Sequence, residues 1–450
     1  MPALRLAVAA AIALATASLP ARADQALTFA SGPSVSDLVC PNAPPKPAGP
    51  PRIAEPENGT DIPSAAQLGG LAVSRTNPAP RIDPAAIPEF RLGRPRRFAV
   101  WGDSHVAAGP FMPTVFAALA SHSAVGIHFL PPTMGRANVR LPALHAYCIG
   151  AGWRTDLAYR ASGRIAVGPG LVNRVVAAGF DSYLWLDWRT AERKANVRSI
   201  QIVYRPDEEK TLAISVNDGP EMTAALYPSG AASETLTLAG DQDIATLKLR
   251  VVSGTLTLQG FTVAYDEEPL VTFDVFGIPS STAAGWANAD PQVLSAALHG
   301  ESYDGVILEY GTNEGSVAPF DAASYRDGLA AALTTMRKVF PSASCILVGP
   351  PDRGVLVGKG RGAPDFLLYS RIHQTIARIQ AETGAKFGCT AWNWQDLMGG
   401  PGGAYGWAHN APPLMGPDLT HLTGTGYKRT GEALAKSLGW EETDPSLYPP

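Results

Sequence analysis

Two short polar segments carry the residue types of an activated serine nucleophile. Ser104 lies in Gly-Asp-Ser-His, directly after an apolar run, and Asp418 and His421 lie in Asp-Leu-Thr-His near the C-terminus. A serine hydroxyl needs a base to take its proton, and an aspartate three residues before a histidine on one loop can orient that base. The two segments together therefore predict a catalytic triad with Ser104 as nucleophile, His421 as base and Asp418 as the group that orients the base.

Each segment is also compatible with a structural role. Gly-Asp-Ser at a strand end is compatible with an ordinary turn, and Asp-x-x-His with a salt bridge in a loop. His105 and His409 are alternative bases, but neither has an aspartate three residues before it. The two segments favour catalysis because they occur together, in order, at matching positions of the predicted fold. Since no Gly-x-Ser-x-Gly or metal-ligand spacing occurs, we expect neither an α/β-hydrolase elbow nor a metal or other cofactor.

Hydrophobic periodicity places the segments on a scaffold of alternating strands and helices. Predicted strands cover residues 97–101, 271–275, 305–310, 345–348 and 389–392, and predicted helices cover 111–119, 291–298, 325–339, 366–380 and 427–438. This alternation predicts an α/β fold with three α/β/α layers around a central parallel sheet. Functional residues gather at the carboxyl ends of such strands, where Ser104, Gly277 and Asn313 all lie.

Residues 155–270 follow a different pattern. Apolar residues there alternate with polar ones over several short runs, as in residues 200–204, 212–216 and 247–251, and turn signals such as Asn217-Asp218-Gly219 separate the runs. A period of two predicts antiparallel β structure. We therefore expect a β-sandwich inserted into a discontinuous α/β domain formed by residues 96–154 and 271–450.

The composition is that of a globular protein of two or three domains. The chain has 450 residues, of which 46% are hydrophobic and 17% charged, and its net charge is −4. Because lysines and arginines are scattered and form no basic stripe, nucleic acid is not an expected partner.

The N-terminal region predicts export. Arg5 precedes a short apolar stretch, and small residues surround Ala23, so residues 1–23 are predicted to be a cleaved signal peptide. The stretch is shorter than the roughly 20 residues of a spanning helix, and no stable membrane insertion is expected. Residues 24–95, rich in proline, predict a tether or a surface strap. We therefore expect a periplasmic or secreted protein.

Export permits disulfides among the four cysteines. Three pairings are open in principle, with a weak preference for Cys345 with Cys389, on neighbouring predicted strands, and Cys40 with Cys148. Buried thiols are the alternative.

Attack on an acyl carbon creates an oxyanion that fixed donors must stabilise. The candidate donors are the backbone N–H groups of Ser104 and Gly277 and the side-chain amide of Asn313 in Gly-Thr-Asn-Glu. With these residues in place, the sequence resembles the SGNH (GDSL-type) hydrolase family, whose four blocks supply Ser, Gly, Asn and His in that order. The resemblance covers roughly residues 96–123 and 271–440, with His105 in place of the usual leucine and Glu314 in place of the frequent aspartate.

The overall plan resembles the periplasmic peptidoglycan O-acetylesterases, in which a module resembling a carbohydrate-binding domain interrupts the hydrolase domain. The motif Trp392-Asn393-Trp394-Gln395 is also similar to that group. This resemblance implies an O-acetylated glycan as substrate. A periplasmic O-acetyltransferase and a non-catalytic glycan-binding protein remain alternative functions. Peptidoglycan and an exopolysaccharide remain alternative substrates. Trp185 and Trp188 are either a sugar-stacking platform or core residues, and aromatic residues at strand spacing more often fill a core.

Overall fold

The structure is a computed structural model that describes residues 25–32, 34–41, 62–69, 77–92, 94–107, 109–121, 124–357 and 364–440. The predicted signal peptide, residues 1–23, lies outside the described residues. Among the described residues, no helix is long and apolar enough to cross a membrane.

Eighteen strands occur in the described residues. In chain order they are β1 (Gln25–Thr28), β2 (Arg96–Gly102), β3 (Val125–Gly126), β4 (Phe129–Leu130), β5 (Ala146–Ile149), β6 (Arg154–Leu157), β7 (Val172–Ala177), β8 (Leu184–Asp187), β9 (Val197–Tyr204), β10 (Lys210–Val216), β11 (Met222–Leu226), β12 (Glu234–Ile244), β13 (Thr246–Ser253), β14 (Thr255–Tyr265), β15 (Val271–Gly277), β16 (Gly305–Glu309), β17 (Ser344–Val348) and β18 (Cys389–Trp392).

The same part of the chain contains nine α-helices. They are α1 (Ser104–Ala107), α2 (Phe111–Ala120), α3 (Ala284–Asn288), α4 (Pro291–Ala297), α5 (Ala322–Val339), α6 (Leu368–Lys386), α7 (Trp394–Leu397), α8 (Gly403–Ala408) and α9 (Gly424–Ser437). Single turns of 3-10 helix cover Pro88–Phe90, Ala158–Arg160, Phe180–Ser182 and Glu314–Ser316.

Six of the strands form a parallel sheet in the order β18-β17-β16-β2-β15-β3. The five strands and five helices predicted from periodicity are all present. Their ends lie within about three residues of the expected positions, except that α6 continues to Lys386, beyond its predicted end at residue 380. Strand β2 lies near the centre of the sheet, between β16 and β15. An α/β fold with a central parallel sheet is therefore confirmed.

Strand β2 shows why the sheet is covered on both faces. Phe98 and Val100 pack into one apolar cluster, which includes residues of α2 and α9, whereas Ala99 and Trp101 pack into a second cluster with residues of α5 and α6. Successive side chains of a strand point to opposite faces, so a strand apolar at every position is buried between two layers.

The remaining strands form two further sheets with a shared core. One has the order β1-β12-β9-β14-β7-β6, with β4 also paired to β14, and the other has the order β11-β10-β13-β8-β5. Apolar residues from both, such as Leu186 and Ile202, belong to one buried cluster. Pairing within these sheets is antiparallel except for β1, which runs parallel to β12.

The predicted boundary at residue 154 is not where strand pairing changes. Strand β4 pairs with β14, and β5 pairs with β8, although both precede residue 155. Two-residue and four-residue strands are too short to show a period, which explains why they could not be separated from the α/β region in the sequence.

The described parts of the N-terminal region pack against the rest of the protein as a strap. Gln25–Thr28 adds a strand to the β12 edge, Phe29 is buried, and Phe90 stacks on Phe98 with ring centroids 5.1 Å apart. The proline-rich composition hid these isolated apolar anchors, since they follow no repeating pattern.

Both preferred cysteine pairings are confirmed. Cys345 and Cys389 are register partners on β17 and β18 with Cα atoms 4.5 Å apart, and Cys40 is bonded to Cys148 on β5 at a Cα separation of 5.3 Å.

Candidate active site

Ser104 occupies the turn between β2 and α1. It is the first residue of α1, so its backbone N–H has no acceptor within the helix. Gly102 permits the sharp turn, because a Cβ atom there would lie 2.4 Å from Val106 and 2.8 Å from the Glu309 carboxylate. Ser104 is thereby held at the carboxyl end of a central strand.

The loop that carries Asp418 and His421 is fixed by backbone hydrogen bonds. The Gly416 N–H donates to the His421 carbonyl at 2.7 Å, and the Gly354 N–H donates to the Leu419 carbonyl at 3.0 Å. Leu419 is buried and has a φ of 50°, a left-handed conformation that reverses the chain between Asp418 and His421. Burial of Leu419 offsets the cost of that conformation, which is of order 1 kcal/mol.

The structure joins the three predicted triad residues in one chain of hydrogen bonds. The Ser104 Oγ lies 3.0 Å from His421 Nε2, and His421 Nδ1 lies 2.6 Å from Asp418 Oδ2. The other carboxylate oxygen of Asp418 accepts from the backbone N–H groups of His421, at 2.9 Å, and Thr420, at 3.0 Å. This arrangement fixes the histidine tautomer in which Nδ1 carries the proton and Nε2 is free to accept the Ser104 proton.

Hydrogen bonding sets the charges of this pair. The Asp418 carboxylate raises the pKa of His421, mainly through their hydrogen bond. Partial burial acts to raise the pKa of Asp418, but the hydrogen bonds from His421 and Thr420 outweigh it and lower that pKa to about 2. Asp418 is therefore ionised at neutral pH and stabilises a protonated His421.

The alternative bases are engaged elsewhere. His105 is completely buried, and burial lowers its pKa to about 3. Its Nδ1 atom is hydrogen-bonded to the Tyr427 hydroxyl at 2.9 Å. His409 Nε2 lies 2.9 Å from the Pro63 carbonyl oxygen. Neither histidine is placed to accept the Ser104 proton.

Asn313 lies next to the Gly-Asp-Ser turn. Its side-chain amide donates to Asp103 Oδ2 at 3.1 Å and to the Ser281 carbonyl at 2.9 Å. Both amide hydrogens are therefore donated within the protein. A substrate oxyanion at Asn313 would share one of these hydrogens.

Gly277 does not fit the predicted role of oxyanion donor. Along β15, the Val271 N–H donates to Ala124 on the β3 side, whereas the Ile278 N–H donates to Gly102 of β2. Alternate residues of a strand share an orientation, so the Gly277 N–H points as that of Val271 does, away from β2 and Ser104. A Cβ atom at Gly277 would lie 2.4 Å from the Ala107 nitrogen, so this glycine lets α1 pack closely against β15.

Ser280, three residues further on, has the properties that Gly277 lacks. It is exposed and has a φ of 66°, and its N–H donates to no other described residue. The turn that carries it is joined to the end of β2, because the Ser281 hydroxyl donates to the Gly102 carbonyl at 3.0 Å. The dipeptide Pro279-Ser280, which follows the end of β15 after one intervening residue, was the available sequence signal for this turn.

Two buried carboxyl groups lie beneath the nucleophile turn. Asp103 accepts from the His105 N–H at 2.9 Å, and Glu309 on β16 accepts from the Asp103 N–H at 3.2 Å. Burial, together with the negative charge of Asp103, raises the pKa of Glu309 well above its usual range, and burial raises the pKa of Asp103 to about 6. The raised pKa of Glu309 favours its protonated form, which can donate to the Asp103 carboxylate, and Asp103 in turn accepts from the Asn313 amide.

The comparisons with known proteins bear on the fold. No protein-family model matches the chain, and no curated protein matches it. Among solved structures, one described as a peptidoglycan O-acetylesterase in action matches with a TM-score of 0.60 and 19% identity, over 79% of this chain and 96% of that chain. This chain has the fold of that peptidoglycan O-acetylesterase. The resemblance predicted from the sequence motifs is thereby confirmed at the level of the fold.

Other solved carbohydrate esterases match with lower scores. Family two enzymes from Corynascus thermopiles (Myceliophthora fergusii) and Cellvibrio japonicus each cover 64% of this chain and 98% of their own, with identities of 12% and 11% and TM-scores of 0.26 and 0.25.

Within the O-acetylesterase fold, the two candidate tryptophans have different environments. Trp188 is buried in the core shared by the two antiparallel sheets, so its interpretation as a core residue is the one that fits. Trp185 is half-buried, and the Lys248 ammonium lies 5.2 Å from its ring centroid. The two residues therefore do not form a common platform.

Proposed function

We propose that the protein is an exported carbohydrate O-acetylesterase that acts through Ser104, His421 and Asp418. The observation that carries the proposal is the pair of hydrogen bonds, 3.0 and 2.6 Å long, that join the three side chains at the carboxyl end of a parallel sheet. The fold shared with a peptidoglycan O-acetylesterase supports the reaction class and favours acetylated peptidoglycan as the substrate.

The proposed reaction has two steps. His421 Nε2 takes the Ser104 proton as Oγ bonds to the acetyl carbon, and then gives it to the sugar oxygen as that carbon–oxygen bond breaks. Water next attacks the acetyl-serine, again losing its proton to His421, and acetate leaves as the proton returns to Ser104. The N–H groups of Ser104 and Ser280 and the Asn313 amide are the proposed oxyanion donors, each worth roughly 3 kcal/mol in the transition state.

We also propose that the two antiparallel sheets form the inserted β-sandwich and contribute to glycan binding. Their shared apolar core supports one folding unit. The two disulfides support an oxidising compartment, the periplasm or the exterior.

Acetate release from O-acetylated peptidoglycan, compared with acetylated xylan and a short aryl acetate, tests the proposal. We expect Ser104→Ala to lower every rate by on the order of 10⁴-fold or more. Ser121→Ala, at an exposed helix end, is the matched control and should leave the rates unchanged. Acetate release by Ser104→Ala at the wild-type rate would disprove the assignment of Ser104 as the nucleophile. Transfer of the acetyl group to an added sugar at a higher rate than its release as acetate would indicate a transferase.

A further inference from the structure

A cavity lies beside the nucleophile helix, between the parallel sheet and the antiparallel sheets. Its volume is about 520 Å³, which falls within the roughly 300–1,000 Å³ of small-molecule sites. One wall comes from α2 and β15, and the opposite wall comes from residues 188–196 and Tyr265. Residues 140–145 complete its rim.

The wall formed by the α/β region is apolar. Met112 and Phe116 of α2 and Phe273 and Val275 of β15 line it, so an occupant would lay apolar surface against this side. Each square ångström of apolar surface that the occupant removes from water contributes about 25 cal/mol to the free energy of binding. The wall therefore suits a hydrocarbon body better than a sugar ring.

The charged side chains among the described lining residues are both arginines, Arg140 and Arg189. Arg140 and His145 are exposed at the rim, and neither side chain has a hydrogen bond or ion pair with another described residue. Arg189 also lines the cavity, but Asp187 and Asp37 neutralise it. No aspartate or glutamate occurs among the lining residues that the structure describes.

Trp188 supplies a second, independent observation. Its side chain lines the cavity and is 3% exposed, and its indole nitrogen has no hydrogen-bond partner among the described residues. A buried N–H group without an acceptor costs about 1–3 kcal/mol, so a ligand oxygen that reached this nitrogen would stabilise the complex.

From these observations, we propose that this cavity binds an amphipathic anion, with its hydrocarbon body on the apolar wall and its acidic head at Arg140. The site is coupled to the nucleophile helix, because Val106 and Ala107 of α1 line it and the Arg140 N–H donates to the Ala107 carbonyl at 2.9 Å. This inference does not depend on the proposed esterase activity, since binding requires no turnover.

Calorimetric titration of the full chain with octanoate, octyl phosphate and 1-octanol tests the proposal. We expect one site per chain for the two anions and markedly weaker binding of the alcohol. The tighter of the two anions then identifies the head group as carboxylate or phosphate. Equal affinity for octanol and both anions would overturn the assignment of an acidic head.

Substitutions at the cavity test whether the anion binds there. Arg140→Gln should weaken octanoate about tenfold, the loss expected for one charge-assisted hydrogen bond, and leave octanol unchanged. Arg154→Gln, an exposed arginine on β6, is the matched control. Val275→Phe and Ala143→Phe fill the cavity from β15 and from the rim, and either folded variant should abolish binding. Absence of binding to the wild type, or binding that survives both fillings, would overturn the proposal.

Discussion

At the scale of single residues, the basicity of His421 depends on its hydrogen bond to Asp418. Its Nδ1 atom faces a carboxylate whose pKa is about 2, so that partner stays ionised throughout the working pH range. Only neutral His421 can accept the Ser104 proton. Because the Asp418 hydrogen bond raises the pKa of His421, activity should rise with pH through a midpoint above the ordinary histidine value of 6.5.

Replacement of Asp418 by asparagine tests this argument. The amide of Asp418→Asn has no charge to stabilise imidazolium and could favour the wrong tautomer, so kcat should fall by about 10³- to 10⁴-fold. The acid limb of kcat/KM for an aryl acetate should also move to lower pH, since the cause of the raised pKa is gone. A kcat/KM profile measured from about pH 5 to about pH 9 provides the check. An unchanged midpoint in Asp418→Asn would show that the limb belongs to another group.

Most of the candidate site was predictable at this scale, and the exception has a physical reason. Ser104, Asp418 and His421 were predicted because each residue type is demanded by the chemistry and the order matched the strands. The proposed second backbone donor was not predicted, because an N–H group is common to nearly every residue and its direction depends on register. Gly277 is required for helix packing, whereas the free N–H belongs to Ser280.

At the scale of elements, the ends of β2 and β16 bring two carboxyl groups together under the nucleophile. Long helices and apolar strands were predicted from periodicity, but this contact between Asp103 and Glu309 was not, because it depends on the parallel pairing of two distant strands. The same limit hid β4 and β5, whose partners come more than thirty residues later in the chain.

The buried pair makes the stability of the protein depend on pH. The raised pKa of Glu309 means that the folded state keeps a proton that the unfolded chain loses above its ordinary pKa of 4.5. The contribution of Glu309 to the free energy of unfolding is thus fully present below pH 4.5. It is lost, by up to about 1.4 kcal/mol per pH unit, as the pH rises toward the raised pKa.

Glu309→Gln keeps the size of the side chain and replaces the carboxyl proton by an amide that can still donate to Asp103. We expect this variant to gain stability relative to the wild type steadily from about pH 5 to about pH 8, as measured by urea unfolding. Glu267→Gln, at an exposed position, is the control and should show no such trend. A constant difference between Glu309→Gln and wild type across that range would mean that Glu309 is ionised in the folded protein.

At the scale of the whole molecule, the N-terminal strap and the antiparallel sheets are integrated with the parallel sheet. The Trp101 indole N–H donates to the Pro169 carbonyl at 2.8 Å, and the Ile165 N–H donates to the Asn288 carbonyl at 2.7 Å. Removal of residues 155–270 would therefore expose the core around Trp101. Point substitutions, not deletion, are the appropriate way to separate the proposed glycan binding from the proposed catalysis.

The two disulfides act over different lengths of chain, and this difference can be measured. Cys40–Cys148 closes a separation of 108 residues and Cys345–Cys389 one of 44. In the chain-entropy account, the longer loop stabilises the fold by about 0.8 kcal/mol more, within typical totals of about 2–4 kcal/mol. Urea unfolding of Cys40→Ala/Cys148→Ala and Cys345→Ala/Cys389→Ala should show the larger loss for the first pair, with aryl acetate turnover retained in folded protein. A larger loss of stability for the second pair would show that packing between β17 and β18 outweighs loop length. It would also show that the strap is held mainly by the pairing of β1 with β12 and by the apolar contacts of Phe29 and Phe90.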